Sequence, residues 1–132
     1  MRESINPPSL APPAGYSQVA RVSGGTTIYI AGQVSWDIDG NIVGIGDFET
    51  QTRQVFHNLV AALAAFDADL SDLVKIGIYV VDHDGSKLET IRRVRDELFG
   101  DITPPVSTLL GVEGLAVADL MVEVDGIAFL ED

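Results

Sequence analysis

Cysteine is missing altogether from this chain of 132 residues, which excludes disulfides, thiolate metal ligands and a thiol nucleophile. Bases are scarce: eight Lys and Arg face twenty Asp and Glu, a formal charge of −12. Such a surface repels phosphate backbones, and no basic stripe or aromatic platform interrupts it, so nucleic acid is not an expected partner. Long apolar runs are missing too. None approaches the roughly 18 residues of a membrane span, and the N-terminal MRESINPPSLAPP lacks the apolar centre of a signal peptide. The expectation is a cytoplasmic protein with no membrane association. No Gly-rich phosphate loop, Ser-His-Asp set or zinc spacing occurs either, so neither a cofactor nor a metal is expected.

What is present is 46% apolar and 21% charged, the balance of a globular protein, and it reads as a single domain over residues 1–132. Residues 1–15, rich in proline, form an extended arm ending at Gly15. YSQVARV and TTIYIAGQV read as strands separated by the turn signal Gly24-Gly25, and WDIDGNIVG as a short hairpin around Asp39-Gly40. A long helix follows, with Asp47 as N-cap, Glu49 in its first turn and Val55, Leu59, Leu63 and Phe66 on one apolar face. LVKIGIYVV, residues 73–81, is a near-continuous apolar strand. Ser86 and Glu89 form a capping box for a second helix, with Leu88, Ile91, Val94 and Leu98 inward and Gly100 after its end. STLLGV and LMVEVDGIAFL complete the strands.

This order is α+β, two helices against one face of a mixed sheet. Residues 27–34 and 73–81 offer apolar side chains to both faces, and no spare element covers the second one. A homo-oligomer is the simplest cover.

Few residues point to chemistry. His57 falls mid-helix and His83 in the loop VVDHDG, without partners at ligand spacing, so both read as exposed structural histidines. DHDG lacks calcium-loop spacing and reads as a turn. Arg92, Arg93 and Arg95 interleave with Glu89, Asp96 and Glu97 at i,i+3 and i,i+4 positions, as on a solvated, salt-bridged helix face. Glu123 and Asp125 lie two apart on a strand and share a face. They either hold and activate a water or mark the solvent side; spacing leaves both open.

The run PPAGYSQVARVSGGTTIYIAGQVSWDIDGNIVGIGDFETQTRQVFHNLVAAL, with Gln51, Gln54, Asn58 and Leu59 in its helix, resembles the Rid family of YjgF-like reactive intermediate deaminases. VKIGIYVVD, PPVSTLLGV and LMVEVDGIA follow in the family's order, so the likeness covers nearly the whole chain. It implies a chorismate-mutase-like fold and a homotrimer whose sheets form a central barrel, with small-molecule clefts between subunits. It implies hydrolysis of imines and enamines to keto acids and ammonia, without metal or cofactor. Tyr16, Ala31, Gly32, Gln33, Arg92, Ser107 and Thr108 fall at substrate-binding positions, and Asp125 at that of the water-positioning glutamate. Ser107 takes the place of an arginine that grips the substrate carboxylate, and one uncharged hydroxyl cannot replace a bidentate ion pair. Ala31 stands for a serine and Arg92 for an asparagine. Three functions follow: a divergent Rid enzyme acting on a C–N compound other than simple 2-imino acids, a non-catalytic ligand-binding trimer, and, least favoured by the charge, a ribonuclease.

Overall fold

Six strands and two helices follow one another in a computed structural model that describes residues 1–132. They are β1 (Arg2–Ile5), β2 (Val19–Val22), β3 (Thr26–Gln33), α1 (Phe48–Ala64), β4 (Leu73–Val81), α2 (Gly85–Phe99), β5 (Val106–Val112) and β6 (Val122–Leu130). The main sheet has the order β3-β6-β4-β5, antiparallel except for the parallel β4–β5 pair. Both helices are crossovers between parallel strands, β3 to β4 and β4 to β5, and both step the same way across the sheet. A single handedness of crossover therefore sets them on the same face.

The core lies between that face and the helices. Ile28 and Ile30 of β3, Ile76, Ile78 and Val80 of β4, and Val122 and Val124 of β6 meet Val55, Phe56, Leu59 and Leu63 of α1. From α2 they meet Ile91, Val94 and Phe99. Phe56 and Phe99 pack edge to face, 6.4 Å between centroids at 87°.

Several expectations shift for local reasons. The arm is not wholly irregular: Arg2–Ile5 pairs antiparallel with β2 as a separate two-stranded ribbon. The Gly24-Gly25 turn has both residues at positive φ, yet β2 and β3 do not pair across it. The WDIDGNIVG hairpin reduces to one bridge, Trp36 to Ile42. Asp47 caps α1 as expected, accepting from Thr50 N–H, but the helix stops before Phe66, which is 64% exposed. The cap of α2 is Asp84 rather than Ser86, accepting from both Lys87 N–H and the Ser86 hydroxyl. The helix starts two residues earlier than the Ser86–Glu89 pairing implied, and its buried stripe is Ile91, Val94, Arg95 and Phe99, with Leu98 39% exposed.

The opposite face of the sheet is uncovered within one chain. β4 does not turn apolar groups to both sides: Lys75, Gly77 and Tyr79 alternate with the buried Ile76, Ile78 and Val80. On β3 Tyr29 stands on that face 79% exposed, and on β5 Leu110 is 50% exposed. No helix is long and apolar enough to cross a membrane.

Candidate functional site

The uncovered face holds a cavity of about 430 Å³, lined among others by Tyr29, Lys75, Gly77, Tyr79, Thr108 and Asp125. Asp125 is its most constrained polar group. β6 pairs Asp125 with Gly77 of β4; Gly77 N–H donates to Asp125 Oδ1 at 3.0 Å and the Tyr79 hydroxyl to Oδ2 at 3.1 Å. A side chain at residue 77 would push this carboxylate and phenol aside. A Cβ at residue 77 would lie 2.5 Å from Asp125 Oδ1 and 2.7 Å from the Tyr79 oxygen. Each carboxylate oxygen keeps a second lone pair, so a fixed acceptor faces the cavity.

The same hydrogen bond acts on the phenol. Donation to the Asp125 carboxylate, with a smaller contribution from burial, raises the Tyr79 pKa above the ordinary 10.0. A raised value means that this contribution to stability is complete below the unfolded-state value and is lost as pH rises through the raised one. Spectrophotometric titration of the three tyrosines should show one ionising later than free tyrosine. Asp125→Ala should abolish that delay; an unchanged titration curve would show the contact to be absent in solution.

The other sequence-selected positions are spread out. Thr108 joins Asp125 in the cavity. Ser107 does not face it: it pairs laterally with the buried Ile76, and Leu109 on the same side of β5 packs against the core. Val106 and Thr108 share the cavity side instead. Tyr16 lies at the start of β5, beside Ser17, whose N–H donates to Pro105 O at 3.0 Å and whose hydroxyl donates to Pro104 O at 2.6 Å. Ala31, Gly32 and Gln33 occupy the irregular end of β3, where pairing with β6 skips between Ile30 and Gln33. There Gly32 abuts Glu123, which pairs laterally with Tyr79, two residues along from Asp125 and Gly77. Gly32 and Gln33 line a separate groove of about 980 Å³ with Trp36, His57 and Asn58.

Arg92 is exposed on α2, in a shallow groove with Glu89 and Asp96 on the helix side of the sheet. The expected pairs within α2 are not formed. Arg93 pairs with Glu49 and Arg53 with Glu97 across the two helices. Arg95 is not on the solvated face at all: it is 7% exposed, and Nη2 donates to Ala14 O at 3.2 Å while Nε has no partner. Burial lowers its pKa. Its guanidinium packs under Gly15, at positive φ, where a Cβ would lie 2.6 Å from Nη2. This anchors the arm that carries Tyr16. His83 is half-buried, not exposed, with Nδ1 unpaired. No group of three or more acidic or histidine side chains is placed to hold a metal ion.

Gln51 and Asn58 have clear structural work. Gln51 is buried, donates to Gly44 O and Asp119 O and accepts from Met121 N–H. Asn58 donates to Val34 O and Trp36 O, both at 2.9 Å. The residues that sequence reasoning missed are Lys75, Gly77 and Tyr79. The signal was their i, i+2 spacing within a strand whose apolar composition dominates.

Comparison with known proteins matches this chain from end to end. The family described as Endoribonuclease L-PSP matches residues 7–130. A RutC family protein of Pyrococcus horikoshii is 33% identical over 99% of this chain and 100% of its own. A 2-iminobutanoate/2-iminopropanoate deaminase of Dermatophagoides farinae is 31% identical over 96% and 95%. Among solved structures, the Rid-family protein YyfB of Yersinia pestis superposes with a TM-score of 0.92 at 34% identity, covering 98% of each chain. The chain therefore belongs to the Endoribonuclease L-PSP family, the Rid/YjgF-like group.

Proposed function

We propose that three copies of this chain close their uncovered sheet faces into a barrel and bind a small metabolite in the clefts between them. The bound compound is an imine, an enamine or a related C–N compound other than a simple 2-imino acid, and the chain hydrolyses it. The observation that carries this reading is the Asp125 carboxylate, held by Gly77 N–H and the Tyr79 hydroxyl at the wall of an open cavity. A carboxylate so held can take a proton from a water as that water adds to the C=N carbon, giving a carbinolamine. The carboxylate returns that proton to the nitrogen and then carries the hydroxyl proton to it, so that the nitrogen leaves as ammonia and the carbon becomes a carbonyl. Tyr79 keeps its proton throughout the neutral range and so remains a donor that orients Asp125. Thr108 offers a hydroxyl on the same wall.

The restriction on substrate follows from β5. Neither Ser107 nor Val106 can form the two-pronged ion pair that an arginine makes, and losing such a partner should cost about 2–5 kcal/mol in carboxylate binding. An amino-acid oxidase coupled to keto-acid formation tests this. Little or no acceleration is expected on the imines of simple 2-amino acids, and acceleration on a wider panel of imines and enamines. Sedimentation at micromolar concentration should give a trimer; a stable monomer would sink the cleft.

The second reading, a binding trimer without chemistry, is favoured by the hydrogen bonds that already engage both Asp125 oxygens. It predicts saturable ligand binding with no ammonia released. RNA cleavage, which the family's description carries, is disfavoured by the −12 charge.

A further inference from the structure

The cavity contains one basic residue, and it is idle. Lys75 is exposed on the same wall as Asp125, and its ammonium makes no hydrogen bond and no ion pair within the chain. Register explains its placement. Lys75 pairs laterally with Val106 of β5 on one side and Ile127 of β6 on the other. Its stem therefore stands one strand spacing, about 4.8 Å, from the cavity-facing position of β5 that carries no charge. Asp125 sits opposite Gly77, two residues further along β4, a diagonal separation of about 7–8 Å between backbones. A cation and a carboxylate thus share one cavity without forming an ion pair, and Gly77 and Tyr79 hold the carboxylate on its own strand pair.

We infer that Lys75 is the anion-binding residue of this cavity and sets its specificity. The ligand is a small dipolar molecule whose carboxylate meets Lys75 while its nitrogen meets Asp125. The backbones of Lys75 and Asp125 stand about 7–8 Å apart, a separation bridged with least bending of the lysine stem when the carboxylate and the nitrogen are not on the same carbon. The preferred ligand separates them by at least one further carbon. An ammonium is a point charge with three donors and no fixed fork, so it serves a flexible ligand better than a planar clamp would. This inference rests on the cavity being the site proposed above, and adds the ligand class to it.

Unreactive probes decide it: glycine, β-alanine and 4-aminobutyrate, titrated calorimetrically into the full-length protein. β-Alanine or 4-aminobutyrate should bind at least tenfold more tightly than glycine. Lys75→Met should remove that preference and weaken the longer probe at least tenfold, Lys75→Arg should retain most of the binding, and Asp125→Asn should weaken the same probe. Lys75 has no partner within its own chain, and sedimentation of Lys75→Met should match the wild type, so that lost binding reports the missing ammonium and not a lost assembly. Glycine binding most tightly, binding unaffected by Lys75→Met, or no saturable binding of any probe would overturn the inference. Lys75-dependent binding in a protein that hydrolyses no imine or enamine would leave it standing and overturn the hydrolase reading instead.

Discussion

Asp125→Asn should lower the rate of C–N hydrolysis by about 10²–10⁴-fold, the range expected when a positioned general base is removed, while leaving the fold unchanged. The substitution is nearly isosteric. An amide oxygen can still accept from Gly77 N–H, and the Tyr79 hydroxyl, itself able to accept, can turn to the new NH₂ group. What is lost is the capacity to take a proton at neutral pH. Steady-state ammonia release, measured beside urea unfolding, separates the two effects. A variant with wild-type turnover would remove Asp125 from the chemistry; a variant with a collapsed unfolding midpoint would make the residue structural.

The largest stability effect is expected at Phe56. Its side chain is 1% exposed, lies between α1 and the sheet, and meets the edge of Phe99 from α2. Truncation to alanine removes apolar contacts at the junction of three elements and leaves a void that backbone relaxation cannot fill. The cost should be about 3–5 kcal/mol, read as a lower urea midpoint. Phe66→Ala, two residues past the end of α1 and exposed to solvent, should change stability by no more than about 0.5 kcal/mol. Similar costs for both would show that the core does not run between the helices and β6 as described.

That pair of phenylalanines also shows where the sequence can be read and where it cannot. The i, i+4 series Val55, Leu59, Leu63 marks the buried side of α1 correctly, but extending it to Phe66 requires a helix longer than the chain forms. Phe56 lies on that same side, three residues before Leu59 and seven before Leu63, so the spacing includes it although the series through Val55 passes it over. α2 fails by the same route. Reading Ser86 as the cap hid Asp84, and counting Arg95 with the charged face hid that it lies beside Val94, four residues from Ile91, on the buried one. For the site, Asp125 and Thr108 were legible and do share a cavity. Ser107 lies on the core side of β5 and Thr108 on the cavity side, one residue of strand alternation apart. Lys75, Gly77 and Tyr79 stayed hidden because an apolar strand buried on one face looks, by composition, like one buried on both. The family resemblance supplied the architecture, and which side chains share a face came only from register.

The position of β6 bears on how the chain can fold. β6 lies between β3 and β4, yet it follows β3, β4 and β5 in the chain. Until residues 122–130 arrive, β3 and β4 each present an unpaired edge on either side of an empty slot, with α1 spanning above it. The β4-α2-β5 unit closes locally and can form early, whereas joining β3 to it must wait for the strand that reaches both. During translation that interval leaves two apolar strand edges exposed together, the arrangement most prone to pairing with another chain. Any truncation ahead of Val122 makes the interval permanent.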